Sequence, residues 1–295
     1  MSPDPPPPEG LLLVDKPGGI TSHDAIDRVR RALGTRKVGH AGTLDPMATG
    51  LLLVGVGRAT RLLRFLGDLE KTYEGAARLG VETDTLDADG EVVRTAAVAG
   101  SVTPAAIRAA MAGLEGGSLQ RPPAYSAVKV GGRKLVDAAR AGETLEATER
   151  PIHVRGFELV RAAGADLEFR VSCSSGTYVR VLLADVGRAL GCGAHLTRLR
   201  RTAIGPFDVA DAGAPDDPGD PLPVDRAVAH LPRLVLEPEE AVAAGHGRVL
   251  GPLGVAGPYA IYSPEERLIG VYEDDGGRAR PQVILAPSVT EGQQG

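Results

Sequence analysis

The chain has 295 residues, a formal net charge of -5, 43% hydrophobic and only 3% aromatic residues, and no Trp. That length suits one large domain or two ordinary ones, and the apolar content excludes wholesale disorder, so Ala, Val and Leu must build most of the core. Cys173 and Cys192, the two cysteines, lie in no CxxC and no His/Cys cluster. This argues against a structural zinc site and fits a reduced, cytoplasmic setting.

The stretch 1–9 is Pro-rich and acidic, without the basic region that precedes the apolar core of a signal peptide. No apolar run approaches the ~20 residues of a membrane span, so no membrane association is expected. Pro3 to Pro8 reads as a disordered or polyproline tail. Residues 10–15 then form a strand ending in the turn Lys16-Pro17-Gly18-Gly19. Thr21 or Ser22 caps a helix to about residue 33, with Ile26, Val29 and Leu33 on one face.

The next twelve residues, Gly-His-Ala-Gly-Thr-Leu-Asp-Pro-Met-Ala-Thr-Gly at 39–50, hold one carboxylate, one imidazole, one proline and three glycines. Gly and Pro at this density predict a shaped loop feeding a buried strand at 51–56. Asp45 precedes Pro46, so its backbone is pushed towards an extended conformation, giving one acidic side chain a fixed direction. Taken alone, such a residue is an ordinary turn aspartate bonding its own backbone. Residues 53–60 (LVGVGRAT) superficially resemble a dinucleotide loop. The third glycine position is Thr60 and no βαβ unit surrounds it, so a tight strand-to-helix turn is the better reading.

A helix at 58–66 and a strand at 71–79 carrying Tyr73 come next, then a polar loop at 83–90 and a helix at 104–114 with Pro in its first position. Arg121-Pro122-Pro123 breaks the chain before a short strand at 125–130 and a helix at 134–141. Strands at 152–160 and 167–173 read as an antiparallel pair. Ser174 to Thr177 open a helix through 190 with Arg180 about one turn in, and 196–203 is another strand. Strands outnumber helices without a βαβ period, which gives an α+β fold. Residues 211–223 (DAGAPDDPGDPLP) read as a linker, followed by a short helix near 224–231. Short strands around 234–236, 249–250, 259–261, 268–272 and 283–285 suit a small β-rich domain.

Charge is uneven. Residues 205–295 carry 15 acidic against 6 basic side chains, whereas residues 1–204 carry 23 acidic against 27 basic. Three basic clusters, at 28–37, 58–71 and 198–201, mark the N-terminal body for a polyanion. Arg180 is a candidate partner for Asp45, because a buried carboxylate stays ionised only beside a cation or several donors. Tyr73, Tyr125 and Tyr178 are the natural stacking candidates for a base, and each could equally be an amphipathic filler. No second His lies at ligand spacing from His40, so no metal is expected.

Seven motifs occur in order: KPxGxTS at 16–22, GHAGTLDPMATG at 39–50, KTYE at 71–74, LGxxTDTLDADG at 79–90, SAxKxxGxKLxxxAR at 126–140, SGTYVR at 175–180 and LGCGAHLTRLRRTAIGPF at 190–207. This set resembles the bacterial TruB-type tRNA pseudouridine synthases. The resemblance covers roughly 10–210 closely and the last sixty or so residues more loosely. It implies a mixed, mainly antiparallel pseudouridine-synthase sheet core flanked by helices over 10–210, a linker and short helix at 211–232, and a small PUA-like domain at 233–287 between polar tails at 1–9 and 288–295.

The resemblance also implies isomerisation of uridine 55 in the T-arm loop of tRNA, with no metal, NAD or ATP. Asp45 matches the family's nucleophile, Arg180 its ion-pair partner, and Tyr73 the tyrosine that stacks on the uracil. Tyr178 and Leu199 match pocket walls, His40 a residue that braces the vacated base site, and Lys16 a loop under the active site; His40, Tyr178, Leu199 and Lys16 are thereby expected to be substrate-binding residues. Attack at C6 of the ring and at C1′ of the sugar both stay open. The competing readings are a guide-dependent rRNA pseudouridine synthase and a non-catalytic tRNA-binding or folding chaperone. A monomer with no obligate protein partner is expected.

Overall fold

The computed structural model describes residues 8–285. The expected tails therefore lie largely outside the described residues. Glu9 is an exception to the expected free tail, because its carboxylate accepts from Arg58 Nε at 2.8 Å and ties the chain end to the body.

The N-terminal body opens with β1 (Gly10–Lys16), α1 (Ser22–Leu33), β2 (Val38–Ala41), β3 (Thr49–Val56), α2 (Leu63–Leu66), β4 (Lys71–Leu79), β5 (Val81–Thr83) and β6 (Val92–Thr95). It continues with α3 (Pro104–Ala112), β7 (Gly116–Gln120), β8 (Lys129–Val130), β9 (Arg133–Lys134), α4 (Leu135–Arg140), β10 (Arg150–Ala163), β11 (Asp166–Cys173), α5 (Val179–Ala189), β12 (Ala194–Ile204) and β13 (Phe207–Asp208). The C-terminal part holds β14 (Arg233–Val235), α6 (Pro238–Gly245), β15 (Pro258–Tyr262), β16 (Leu268–Asp275) and β17 (Arg278–Ile284).

Nine strands form one sheet in the order β1-β3-β12-β4-β11-β10-β7, with β2 also on β3 and β13 on β12. All pairings are antiparallel except β3 with β12, which is parallel. The parallel contact lasts two positions, Arg200 opposite Thr49 and Arg201 opposite Gly50, before β2 takes over that edge of β3. The sheet thus has a seam. Gly50 makes it possible: its φ is +102°, and a Cβ there would sit 2.2 Å from the Arg201 carbonyl oxygen.

Helix α1 starts where the sequence placed it. Thr21 accepts from Asp24 N while Asp24 accepts from Thr21 N, a reciprocal cap. Its face of Ala25, Ile26 and Val29 covers Leu12, Val14, Leu52 and Val54 of the sheet. On the far side of the seam α3 and α5 cover β4, β10, β11 and β12, and β4 alternates buried and exposed residues as a half-covered strand should.

Several expectations need correction. Residues 38–41 are a strand, not loop: no Pro interrupts them, and Gly39 pairs with Gly55 of β3. Residues 57–62 are 3-10 helix and only 63–66 are α-helix. The expected strand at 125–130 shrinks to Lys129–Val130, and a helix absent from the sequence expectation, Pro238–Gly245, lies between β14 and β15.

The 211–232 segment is no free linker. Leu11 and Leu222 exchange backbone hydrogen bonds at 2.9 and 2.8 Å, Asp15 N donates to Gly213 O at 2.8 Å, and Ala227 and Val228 are fully buried. It runs along β1 and supplies that edge with partners. Ala260, Tyr262, Val271 and Val283 of the four-stranded β14-β15-β16-β17 sheet join the same core as Leu11, Leu13, Leu51 and Leu53, so the C-terminal sheet is fastened to the back of the body. No helix among the described residues is long and apolar enough to cross a membrane.

Candidate active site

Asp45 projects from the loop joining β2 to β3, and that loop is held from beneath by the 16–22 segment. Ser22 Oγ donates to Leu44 O at 3.1 Å and accepts from Leu44 N at 2.9 Å. Lys16, with no exposed surface, donates through Nζ to Pro17 O (2.9 Å), Ile20 O (2.7 Å) and Pro46 O (3.3 Å). Gly19 N donates to the same Pro46 carbonyl. Two motifs separated in sequence thus build one rigid turn, closed by Ala48 N donating to Asp45 O at 3.0 Å.

The Asp45 carboxylate lies 3.4 Å from Arg180 Nη2, and its side chain is 46% exposed at the mouth of a cavity of about 500 Å³. Burial on the remaining sides raises its pKa above the ordinary carboxylate value, Arg180 pulls it back, and the nearby negative charge of Asp87 pushes it further up. Asp45, Tyr73, Tyr178, Arg180, Leu199 and Arg201 all line the cavity. It is a half-open, partly apolar cleft with convergent polar groups, of the kind that takes a planar heterocycle.

Arg180 is the second residue of α5 and is buried. Its Nη1 donates to Asp87 Oδ2 and Thr85 O, both at 3.2 Å, and its Nη2 to Tyr125 O at 2.6 Å. Asp87 is itself fixed by Thr85 Oγ1 (2.6 Å) and Asp89 N (3.1 Å). The Arg180–Asp87 pair is the buried one, with both side chains 5% exposed, while Asp45 is the partner that faces the cavity. The guanidinium carbon stands 5.8 Å from the Tyr178 ring centroid.

The expected Ser/Thr cap of α5 is absent. Tyr178 occupies the cap position without a side-chain bond, and Gln120 serves its backbone on both sides, donating to Tyr178 O (3.2 Å) and accepting from its N–H (2.8 Å). Ser174 Oγ instead accepts from His153 N.

Tyr73 lies on β4, and burial pushes its phenol pKa up. It belongs to a register row running Lys16, Gly50, Arg201, Tyr73 and Val171 across β1, β3, β12, β4 and β11. Lys16, expected among the substrate-binding residues, has all three ammonium donors on backbone carbonyls, and burial lowers its pKa to about 8. It is a strut for the Asp45 loop rather than a contact. His40, half-buried on β2, lies outside the cavity lining and packs edge-to-face on His23 at 5.6 Å. Burial and the charges of His23 and Arg201 lower its pKa to about 4, so it is neutral at pH 7.

Asp87 and Arg201 were not singled out in the sequence. Asp87 sits inside the 79–90 motif, and a buried arginine needing compensation is the signal that could have found it. For Arg201 the signal is strand alternation: if Leu199 points inward, so does residue 201. The basic clusters also read differently. Arg201 is buried, Arg200 makes two bonds to Asp15 (2.9 and 2.7 Å), Arg61 donates to Ile284 O and Arg64 to Gln282 Oε1. These contacts close the seam and fasten the C-terminal sheet, while Arg61 and Arg64 keep exposed surface. Among the described residues no group of three or more His, Cys, Asp or Glu side chains could hold a metal ion.

The family model for TruB family pseudouridylate synthase, N terminal domain, matches residues 30–179, and models for the tRNA pseudouridylate synthase B C-terminal domain and tRNA pseudouridine synthase II, C terminal, match 180–216 and 231–286. The chain is 47% identical over 296 residues to tRNA pseudouridine synthase B of Aromatoleum aromaticum, covering 97% of this chain and 95% of the relative. It is 46% identical to the protein of that name from Thermobifida fusca, covering 95% of this chain and 99% of the relative. Among solved structures it is similar to a chain of a Cbf5-Nop10-Gar1 complex, at a TM-score of 0.70, 27% identity and coverage of 93% and 84% of the two chains. A chain of an H/ACA RNP bound to a substrate RNA containing 2'-deoxyuridine has the same fold, at TM-score 0.70, 24% identity and coverage of 94% and 85%.

Proposed function

This chain belongs to the TruB pseudouridylate synthase family, and from that premise we propose that it converts uridine 55 in the T-arm loop of tRNA to pseudouridine, with Asp45 as nucleophile. The observation that carries the reading is a lone cavity carboxylate, 3.4 Å from a buried guanidinium, on a loop fixed by Lys16 and Ser22.

The reaction is an isomerisation, and its atoms balance within the substrate. The N1–C1′ bond breaks, the uracil turns, C5 bonds to C1′, the proton on C5 leaves and N1 gains one. A single ionised carboxylate adding to C6 or to C1′ suffices, unlike the paired carboxylates of glycoside hydrolysis. Arg180 keeps Asp45 charged and aimed, and Asp87 keeps Arg180 in place. The raised pKa makes the Asp45 carboxylate a better nucleophile than a fully solvated one, while Arg180 limits the rise.

The target base must leave the loop stack to reach Asp45, at a cost of a few kcal/mol that phosphate contacts can offset. Tyr73 and Tyr178 offer ring faces, and Leu199 an apolar wall, to the extruded uracil. Lys129 and Arg150 at the cavity rim are the cations placed for the flanking phosphates. Relatives named as tRNA enzymes are closer in sequence than the chains of H/ACA complexes, which favours tRNA over a guide-dependent rRNA substrate. The test is incubation with an unmodified tRNA transcript and mapping of pseudouridine by position. One product at position 55 is expected; none, or product only elsewhere, would sink the assignment.

A further inference from the structure

Two buried cations meet beside Gly42. Lys71, at the start of β4, is 5% exposed, Arg201 of β12 is 1% exposed, and both line the cavity. A Cβ on Gly42, whose φ is +79°, would lie 3.6 Å from Arg201 Nη1 and 3.9 Å from Lys71 Cε. The two side chains therefore flank one point of the loop that leads to Asp45. Neither takes part in an ion pair among the described residues, in contrast to Arg180 and Arg200.

Their donors are only partly used. Lys71 Nζ donates to one acceptor, Gly67 O, whereas Lys16 has a carbonyl for each of its three ammonium donors. Arg201 donates from Nε to Leu51 O at 2.7 Å and from Nη2 to Gly42 O at 2.9 Å, and its Nη1 has no hydrogen bond among the described residues. Two like charges held in a desolvated wall without a carboxylate are costly. Burial first, and then Arg201, lower the Lys71 pKa to about 8, against the opposing pull of Asp68 ahead of β4 and Cys173 on β11. Lys71 is thus still mainly protonated at pH 7. A strut would have filled its donors as Lys16 does; cations kept with free donors in a cavity wall call for an anion.

The isomerisation supplies one. When the N1–C1′ bond breaks, its electron pair stays on the ring and spreads to O2 and O4. If Asp45 first adds to C6, the C5–C6 π pair moves onto O4. By either route a ring oxygen carries negative charge until that electron pair forms the C5–C1′ bond. Fixed donors aimed at charge that exists only during reaction lower the barrier without tightening the binding of substrate.

We propose that Lys71 and Arg201 form a buried cationic corner that takes the negative charge developing on a carbonyl oxygen of the extruded uracil. The proposal rests on the synthase reading above.

The test is the single-turnover rate of pseudouridine formation at saturating unmodified tRNA transcript for wild type, Lys71→Met and Lys71→Arg, with tRNA affinities and melting curves for each. Lys71→Met is expected to slow the step about a hundredfold to a thousandfold, as loss of one oxyanion donor does, with tRNA affinity within a few-fold and the fold retained. A rate near wild type, or a loss of rate matched by a loss of affinity, overturns the proposal. If Lys71→Met does not fold, the pH profile of Lys71→Arg decides. The wild-type rate is expected to fall as pH rises through about 8, where Lys71 loses its proton, and the arginine variant to hold its rate to higher pH, because a guanidinium stays protonated. Titration of the uridine ring is common to both proteins, so an alkaline limb at the same pH in both overturns the proposal. A wild-type protein that forms no pseudouridine refutes the synthase reading. The corner is then tested with inorganic sulfate as probe, which should raise the melting temperature of wild type more than that of Lys71→Met; an equal rise overturns it.

Discussion

The catalytic body and the C-terminal sheet use burial in opposite ways. All ten buried polar or charged residues, from Lys16 to Arg201, lie in the body, and residues 205–285 contribute none. The C-terminal sheet closes over Leu236, Ala241, Ala244, Ile261 and Ala279, with Tyr259 and Tyr272 as its largest side chains. Burial there stabilises. In the body, burial also charges the site: Arg180, Asp87 and Arg201 are desolvated around a cavity, an expensive arrangement that function explains and stability does not. The acidic C-terminal part is in the same light a brace. Its strands share a core with β1 and β3, and Arg61 and Arg64 reach its last strand.

The comparison can be broken at its strongest point with Asp45→Asn. Turnover is expected to vanish while tRNA binding stays within a few-fold. Because the Asp45 pKa is raised, its ionised form is less favourable in the folded protein than in the unfolded chain at pH 7, so the variant should melt no lower than wild type. Retained turnover removes the nucleophile assignment.

Next in size is Arg180→Met, which leaves Asp87 buried without its cation and should cost about 3–5 kcal/mol of stability together with most activity. The milder Arg180→Lys separates the effects through pH. The rate rises with pH as Asp45 ionises, at a pKa above the ordinary 3.8. Drawing the cation away moves this acidic limb of the profile to still higher pH, and an unshifted limb would dissociate Arg180 from Asp45.

A third measurement separates cations that serve the fold from those that serve RNA. Lys129→Ala, at the cavity rim, should reduce the slope of log affinity against log salt by about 0.7–0.9. Arg61→Ala should leave that slope unchanged and lower the melting temperature. The reverse pattern would return the 58–71 cluster to the RNA surface. The smallest effect is expected from Tyr272→Phe in the C-terminal sheet. Its hydroxyl donates to Ala244 O (3.1 Å) and Arg248 O (2.9 Å), so its loss should cost about 1 kcal/mol and leave the pseudouridylation rate unchanged.

What the sequence by itself determined is local and periodic. The alternation of β4, the reciprocal cap of α1, the antiparallel pair of β10 and β11 and the Gly/Pro-dense turn around Asp45 all follow from side-chain period and backbone permission, which act over a few residues. The ordered motifs identified the family and with it the cavity residues Asp45, Tyr73, Tyr178, Arg180 and Leu199. Tertiary structure decided which charges are buried. The parallel seam between β3 and β12, formed by residues about 150 positions apart in the chain, turns Arg201 from one member of a basic run into a cavity floor. The same nonlocal packing turned Lys16 from a contact into a strut, and the Asp/Pro-rich 211–232 segment from a linker into a partner for β1. No local pattern encodes these outcomes, because desolvation depends on which distant strand arrives to cover a side chain.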